Sequence, residues 1–316
     1  MDFIKSPLNY TGNKYRILEQ IVPYFPKKIT CMIDLFCGGA TVGLNVKADK
    51  VIFVDSNERV IDLLIYLSKQ TFEDALNIFE KIITKYNLSY SYKYGYKKYR
   101  EFSHNKLDNN GLKDYNSSGF YKLRDDYNHL TNKKTDEANA MLYILMVYAF
   151  NNDIRFNSDG EFNLPIGKTD LNIRNVEKIK EYIERTKTMK TEFICTSFDS
   201  HRFNEVVNTA DFIYMDPPYL LGDAVYNSTW NNEMEHKLLD FIDSLLSKKV
   251  NFALSNVLTK VGKTNEPLSY WVHKKANLID VNHIKYHYRS ASYNKIKRDA
   301  NEDEVLICNK RYQDEN

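Results

Sequence analysis

Phe212-Ile213-Tyr214-Met215-Asp216-Pro217-Pro218-Tyr219 is a short apolar run closed by an acid, two prolines and an aromatic ring. Such a run, bounded by turn formers, predicts a buried strand. The prolines stop the strand and stiffen the turn, because each fixes its own φ and restricts the residue before it. Asp216, the Pro217 carbonyl and the Tyr219 ring are therefore expected together at a strand's carboxyl end, with Pro218 holding the turn between them. Open α/β sheets place their sites there. The set suits an exocyclic amino group on a flat ring. Asp216 and the Pro217 carbonyl can accept its hydrogens, and Tyr219 can stack on the ring. A strand-ending turn with a satisfied carboxylate is the other reading of the tetrad alone.

A second strand-and-turn signal lies upstream. Cys31-Met32-Ile33-Asp34-Leu35-Phe36-Cys37-Gly38-Gly39-Ala40-Thr41-Val42-Gly43 predicts a strand, a tight glycine turn and the start of a helix. Gly38 and Gly39 let the backbone approach a ligand closely, and the helix start offers free N–H groups. Val51-Ile52-Phe53-Val54-Asp55 then predicts another buried strand ending in an acid. Such an acid commonly holds a ribose in a doubly wound sheet. The glycines are not spaced GxGxxG, so a dinucleotide is the weaker ligand.

Between these signals lies a long stretch of different character. Asn57 to Tyr86 and Ala138 to Phe150 carry helical apolar spacing. Asn105 to Ser118 is polar and Asn/Gly-rich, and predicts a mobile loop. Residues 151–168 predict a β-hairpin turning at Ser158-Asp159-Gly160. A two-stranded ribbon fits a DNA major groove, and arginine is the usual reader of guanine. Taken alone, the segment reads equally well as a structural hairpin. Ser89 to Arg100 interleaves tyrosines with basic residues, which is either a nucleic-acid contact or an exposed, compositionally biased helix or loop.

The composition narrows the class. The chain has 316 residues, is 43% hydrophobic and 27% charged, and carries a net charge of +2. These values are globular, and any basic surface must arise from local segregation of charge. Of the four cysteines, Cys31, Cys195 and Cys308 lie in apolar runs and are expected as core thiols. No pair has CxxC spacing, so no metal site is expected, and a reducing cytoplasm fits. The N-terminus lacks a signal-peptide core and no apolar run is long enough to span a membrane, so no membrane partner is expected.

The order of these motifs resembles Dam-type DNA adenine-N6 methyltransferases of the D12 class (alpha group), with bacteriophage Dam enzymes as the nearest likeness. The segments Leu123-Arg124-Asp125-Asp126-Tyr127-Asn128 and Ile154-Arg155-Phe156-Asn157-Ser158-Asp159-Gly160-Glu161-Phe162-Asn163 carry it, together with Leu220 to Trp230, Leu254 to Leu258 and Gly262 to Asn265. The likeness covers most of the chain, with residues 101–118 as an insertion.

The resemblance implies a Rossmann-like AdoMet-dependent methyltransferase sheet (α/β) over 1–60 and 190–312. A helical and β-hairpin target-recognition domain would be inserted over 61–189, with its hairpin at about 151–168. It implies S-adenosylmethionine (AdoMet) as cofactor and double-stranded DNA, flipped at one adenine within GATC, as substrate. Asp216, Pro217, Pro218 and Tyr219 would be catalytic. Tyr10, Lys14, Asp34, Phe36, Cys37, Gly38, Gly39, Asp55, Phe198 and Asp216 would contact the cofactor, although Phe198 also reads as a core residue. Asn9, Phe150, Asn151, Asn152, Arg155, Asn157, Pro165, Lys168, Tyr226 and Asn227 would contact DNA, Arg155 by reading a guanine and Pro165 by packing on a thymine methyl.

Two positions depart from the family. Thr169 stands where the phage enzymes carry arginine, and Asn9 where the cellular Dam enzymes carry lysine. Both bear on an outer base pair of the target. A cognate restriction enzyme is a candidate partner. Cytosine N4 or RNA as substrate, and a non-catalytic AdoMet- or DNA-binding role, are the competing readings. The chain contains no Pro-Cys pair, which argues against a cysteine nucleophile acting on cytosine C5. Arg289, Tyr293, Lys295, Lys297 and Arg298 form a late basic loop, which suits phosphate contact or a solvated charge run.

Overall fold

The computed structural model describes residues 3–10, 12–100, 110–222, 230–285 and 302–310. The chain divides into two compact units, Lys14–Ser56 with Lys190–Asn316, and Met1–Asn13 with Asn57–Met189. Residues 1–13 thus group with the inserted stretch and not with the sheet.

The first unit is built on one sheet. Its strands are β1 (Cys31–Leu35), β2 (Lys50–Asp55), β3 (Lys190–Cys195), β4 (Phe212–Met215), β5 (Asn251–Lys260), β6 (Lys263–Thr264), β7 (Ile279–Ile284) and β8 (Glu302–Asn309). They are ordered β3-β2-β1-β4-β5-β8-β7, with β6 pairing off β5. The first five in that order run parallel, and β8 is antiparallel to both β5 and β7. All residues of β1 and β4 are buried, as expected of parallel strands covered on both faces.

Helices Asn232–Lys248 and Glu266–Lys275 send Leu238, Ile242, Leu245, Leu268 and Trp271 into the same core as Ile33, Ile213, Leu254 and Ile307. Each starts at an asparagine cap, Asn231 and Asn265, whose side chain accepts a first-turn N–H. Cys31, Cys37 and Cys308 are buried thiols, but Cys195 is only half-buried because it ends the edge strand β3. No helix among the described residues is long and apolar enough to cross a membrane.

The second unit is helical. Its helices include Glu58–Lys69, Phe72–Lys85, Lys113–Asn128, Asp136–Tyr148 and Ile173–Thr188. The helical period of residues 57–86 is carried by two helices, the second capped by the Thr71 hydroxyl. Every residue from Ala138 to Tyr148 is buried, so this helix forms the centre of the unit. The Tyr-rich segment forms two short helices, Ser91–Tyr94 and Tyr96–Arg100.

The structure departs from the sequence pattern in two segments of this unit. The polar stretch predicted as a loop to Ser118 is helical from Lys113. Asn116 is buried there, accepting from the Ser89 N–H at 2.7 Å and donating to Ser89 Oγ at 3.0 Å. Gly119 is a packing contact: a Cβ would fall 2.0 Å from the Tyr86 carbonyl oxygen. Composition alone marks Asn116 as a turn former, whereas it is a buried hydrogen-bonding group. The predicted hairpin does turn at Ser158-Asp159-Gly160, with Gly160 at φ 73°, but it is no regular ribbon. Its pairing is limited to the isolated bridges Phe156↔Phe162 and Ala149↔Ile166. Phe150–Asn152 form a 3-10 turn with Asn151 and Asn152 in the left-handed region, which takes them out of any strand.

Candidate functional site

The strand order reverses between β1 and β4, the position where a doubly wound sheet opens a crevice. Leu35 and Met215 are register partners at the carboxyl ends of these strands. The Asp216 N–H donates to the Leu35 carbonyl at 3.3 Å, so the tetrad and the glycine turn leave the sheet side by side. Lys14 Nζ lies 2.9 Å from Asp216 Oδ2, with Lys14 only 3% exposed. The Tyr219 hydroxyl lies 3.1 Å from Asp216 Oδ1 and 3.4 Å from Glu304 Oε1. Burial pushes the Asp216 pKa up, and the charge and hydrogen bond of Lys14 and the Tyr219 hydroxyl oppose it. Sequence reading missed Glu304. Its only signal was an acid directly ahead of the apolar run Val305 to Cys308.

The glycine turn is tightly wound. Phe36, Gly38 and Ala40 all have positive φ, at 61°, 47° and 63°. The Cys37 N–H donates to the Val54 carbonyl at 3.0 Å and the Gly38 N–H to Asp55 Oδ2 at 2.9 Å, which ties the turn to the end of β2. Gly39 is buried in the same turn. Asp34 lies beneath it and accepts from the Gly43 N–H at 2.8 Å, bracing the turn from inside. Burial pushes the Asp34 carboxyl up to about 8, against the Gly43 hydrogen bond and with the charges of Asp216 and Asp55 adding to the shift. Gly43 admits no side chain, since a Cβ would fall 2.4 Å from the Phe53 ring.

An aromatic cluster adjoins the turn. Phe36 meets Phe198 at 5.4 Å and Trp230 at 5.7 Å between ring centroids. Phe198 is a buried member of the core beside Phe36. The Trp230 Nε1–H donates to Glu235 at 2.7 Å, and the other Glu235 oxygen accepts from Asn256 at 3.1 Å and Asn265 at 2.8 Å. This buried carboxylate was also invisible in sequence.

Most of the residues expected to meet DNA lie in the helical unit. Phe150 is 51% exposed, on a turn held by its N–H to the Pro165 carbonyl at 2.8 Å. Asn152 donates to the Val147 carbonyl and to Thr169 Oγ1, the latter at 3.0 Å. Arg155 is exposed and donates from Nε to Asn163 Oδ1 at 2.8 Å. Asn157 closes the hairpin turn by accepting the Asp159 and Glu161 N–H groups at 3.1 and 2.9 Å. Pro165 and Lys168 are exposed, and Asn9 accepts from Lys178 at 2.6 Å. Tyr10 also belongs to this unit, whereas Lys14 opens the other. Tyr226, Asn227 and the basic loop at 289–298 lie outside the described residues.

The model of the D12 class N6 adenine-specific DNA methyltransferases matches residues 10–298. The chain belongs to this family. Among D12 relatives, it is 37% identical over 315 residues to the Type II methyltransferase M.FokI of Planomicrobium okeanokoites, covering 97% of this chain and 43% of that protein. It is 35% identical to the modification methylase StsI of Streptococcus sanguinis, with the same coverage of each chain. Against the DNA adenine methylase of Escherichia coli K12 the identity is 24%, covering 79% of both chains. The chain thus spans less than half the length of M.FokI and StsI, and resembles them more than this cellular Dam enzyme. A particular closeness to bacteriophage Dam enzymes stays an expectation of the motif order.

D12 membership implies S-adenosylmethionine as methyl donor. The residues present fit such a molecule: the acid Asp55 ends β2, Gly38 offers a side-chain-free backbone at positive φ, and the aromatic ring of Phe36 lies alongside. Among the described residues, no group of three or more His, Cys, Asp or Glu could hold a metal ion.

Proposed function

We propose that the chain transfers a methyl group to N6 of an adenine in double-stranded DNA. The observation that carries this reading is the setting of Asp216. It leaves the sheet beside the glycine turn and bonds at once to Lys14 and Tyr219. Asp55, Phe36, Gly38 and the neighbouring turn residues would hold S-adenosylmethionine, with Phe198 backing Phe36. When bound, it would supply an electrophilic sulfonium methyl and leave as the neutral thioether, while N6 would lose one of its two protons.

Duplex stacking hides adenine N6, so the base must be flipped out to reach Asp216. Tyr219 would stack on it, while Asp216 and the Pro217 carbonyl accept the amino hydrogens. The amino lone pair is delocalised into the ring, and those two acceptors favour a more pyramidal nitrogen with its lone pair free. Burial pushes the Asp216 pKa up and the Lys14 charge opposes that push, which favours the ionised carboxylate, a group that only accepts. Asp216 Oδ1 now accepts from Tyr219, so an incoming amino group competes with that hydroxyl. Glu304, 3.4 Å from the hydroxyl, offers it another acceptor.

The helical unit would read the sequence, with Phe150, Asn151 and Asn152 at the distorted stack and Arg155 on a guanine. GATC is the site to test first. Thr169 and Asn9, each already bonded to a neighbour within the unit, are where an outer base pair would differ. M.FokI is named a Type II methyltransferase and StsI a modification methylase, which supports a restriction–modification role; a cognate restriction enzyme would then be the partner. The cytoplasm is the compartment this role requires, and four cysteines outside any disulfide suit it.

The deciding experiment is methyl transfer from labelled S-adenosylmethionine to unmethylated DNA, followed by single-molecule sequencing. N6-methyladenine in one short site supports the reading. Label on cytosine N4, or none on DNA despite cofactor binding, overturns it.

A further inference from the structure

The guanidinium of Arg155 is held along one edge. Its Nε–H donates to Asn163 Oδ1 at 2.8 Å, and Nη2 reaches the Asn163 carbonyl oxygen at 3.4 Å. Nε and Nη2 form one side of a planar fork, so the outer Nη1–Nη2 edge stays available. Among the described residues, no ion pair takes that edge.

Asn163 is itself fixed. Its N–H donates to the Arg155 carbonyl at 3.2 Å. The preceding residue, Phe162, is buried and meets Phe156 edge-on at 5.9 Å. The Asn128 side chain grips Phe162 by both backbone groups, accepting its N–H at 2.8 Å and donating to its carbonyl at 3.1 Å. Side chains of successive extended residues point to opposite sides. With Phe162 turned inward, Asn163 is turned toward Arg155.

We propose that Asn163 is a positioning residue for sequence specificity. By occupying the Nε edge, it aims the Nη1–Nη2 edge of Arg155 at the O6 and N7 of a guanine. The inference rests on Arg155 as the guanine reader. A long, exposed arginine otherwise samples many rotamers and can settle on a phosphate, which attracts it at any sequence. An arginine held at one edge presents a single fork, and a bidentate arginine–guanine pair discriminates against the wrong base by about ten- to hundredfold.

The test compares the full chain with Asn163→Ala, Asn163→Asp and Arg155→Ala. Methylated sites are read by single-molecule sequencing. Competition binding with duplexes altered at each guanine reads the same preference without turnover. Asn163→Ala is expected to lower discrimination at one guanine position by about tenfold, while leaving affinity for unrelated DNA nearly unchanged. Asn163→Asp keeps the acceptor, so it retains the preference although its charge weakens binding to all DNA. It also shows that the hairpin tolerates substitution.

An even loss at every site with unaltered preference in Asn163→Ala overturns the proposal. So does equal relaxation by the alanine and aspartate variants. If Arg155→Ala relaxes one guanine and Asn163→Ala relaxes none, only the positioning role falls. If Arg155→Ala relaxes none, the assignment of Arg155 falls and takes the proposal with it.

Discussion

The Lys14 ammonium, almost wholly buried, lies 2.9 Å from Asp216 Oδ2. It also sits 5.0 Å from the centroid of the Tyr219 ring. One cation thus touches both the acid and the aromatic of the tetrad. Its charge offsets the cost of burying Asp216, and it holds Tyr219 by a cation–π contact.

Asp216→Asn keeps an oxygen for Lys14 but removes the charged acceptor. Methyl transfer is expected to fall by about 10²–10³-fold, the scale of losing a charge-stabilising group in a site. Cofactor affinity should largely survive, as equilibrium binding of S-adenosylmethionine would show. Retained turnover would sink the role given to Asp216.

Lys14→Gln removes the charge that opposes the upward shift of Asp216. The carboxyl then ionises only at higher pH. The acidic limb of the pH–rate profile should therefore move to higher pH, with the larger loss of activity on the acid side. An unmoved limb would show that Asp216 ionisation does not limit the rate.

Asp34 gives a stability signature. Its carboxyl is pushed from the ordinary 3.8 up to about 8 by burial, so the folded chain keeps a proton that the unfolded chain has lost. Stability from this group is complete below the unfolded value and is lost as pH rises toward about 8. The slope is at most about 1.4 kcal/mol per pH unit. Denaturant melts across this window should show that decline, and Asp34→Asn should flatten it.

Glu235 accepts from Trp230, Asn256 and Asn265 in a fully buried setting. Glu235→Ala strands three donors and is expected to cost on the order of 3–5 kcal/mol, against about 1–3 for Glu235→Gln. Urea unfolding measures the cost. The chain has two tryptophans, so in a Trp271→Phe background the emission reports on Trp230 alone. A red shift in Glu235→Ala would mark the loosened indole.

Much of the sheet is legible in the sequence. The runs Cys31 to Leu35, Val51 to Asp55 and Phe212 to Met215 are apolar because parallel strands are covered on both faces, and each is a strand. The glycines and prolines that end them mark turns by backbone sterics alone, which is local information. Local composition was a poorer guide where burial overrode it. Asn116 looks like a loop residue, yet it is a buried hydrogen-bonding group in a helix.

Sequence by itself determined the three strands β1, β2 and β4, the turns that follow β1 and β4, and the residue types that stand there. Tertiary structure alone decided which of them meet. Tyr219 reaches Glu304 across 85 positions, Glu235 gathers Asn256 and Asn265 from later elements, and Asn128 clasps Phe162 from another part of its own unit. Hydrogen bonds and ion pairs form at about 3 Å, and no local periodicity carries that distance. It is fixed only when strand order and packing bring remote segments together.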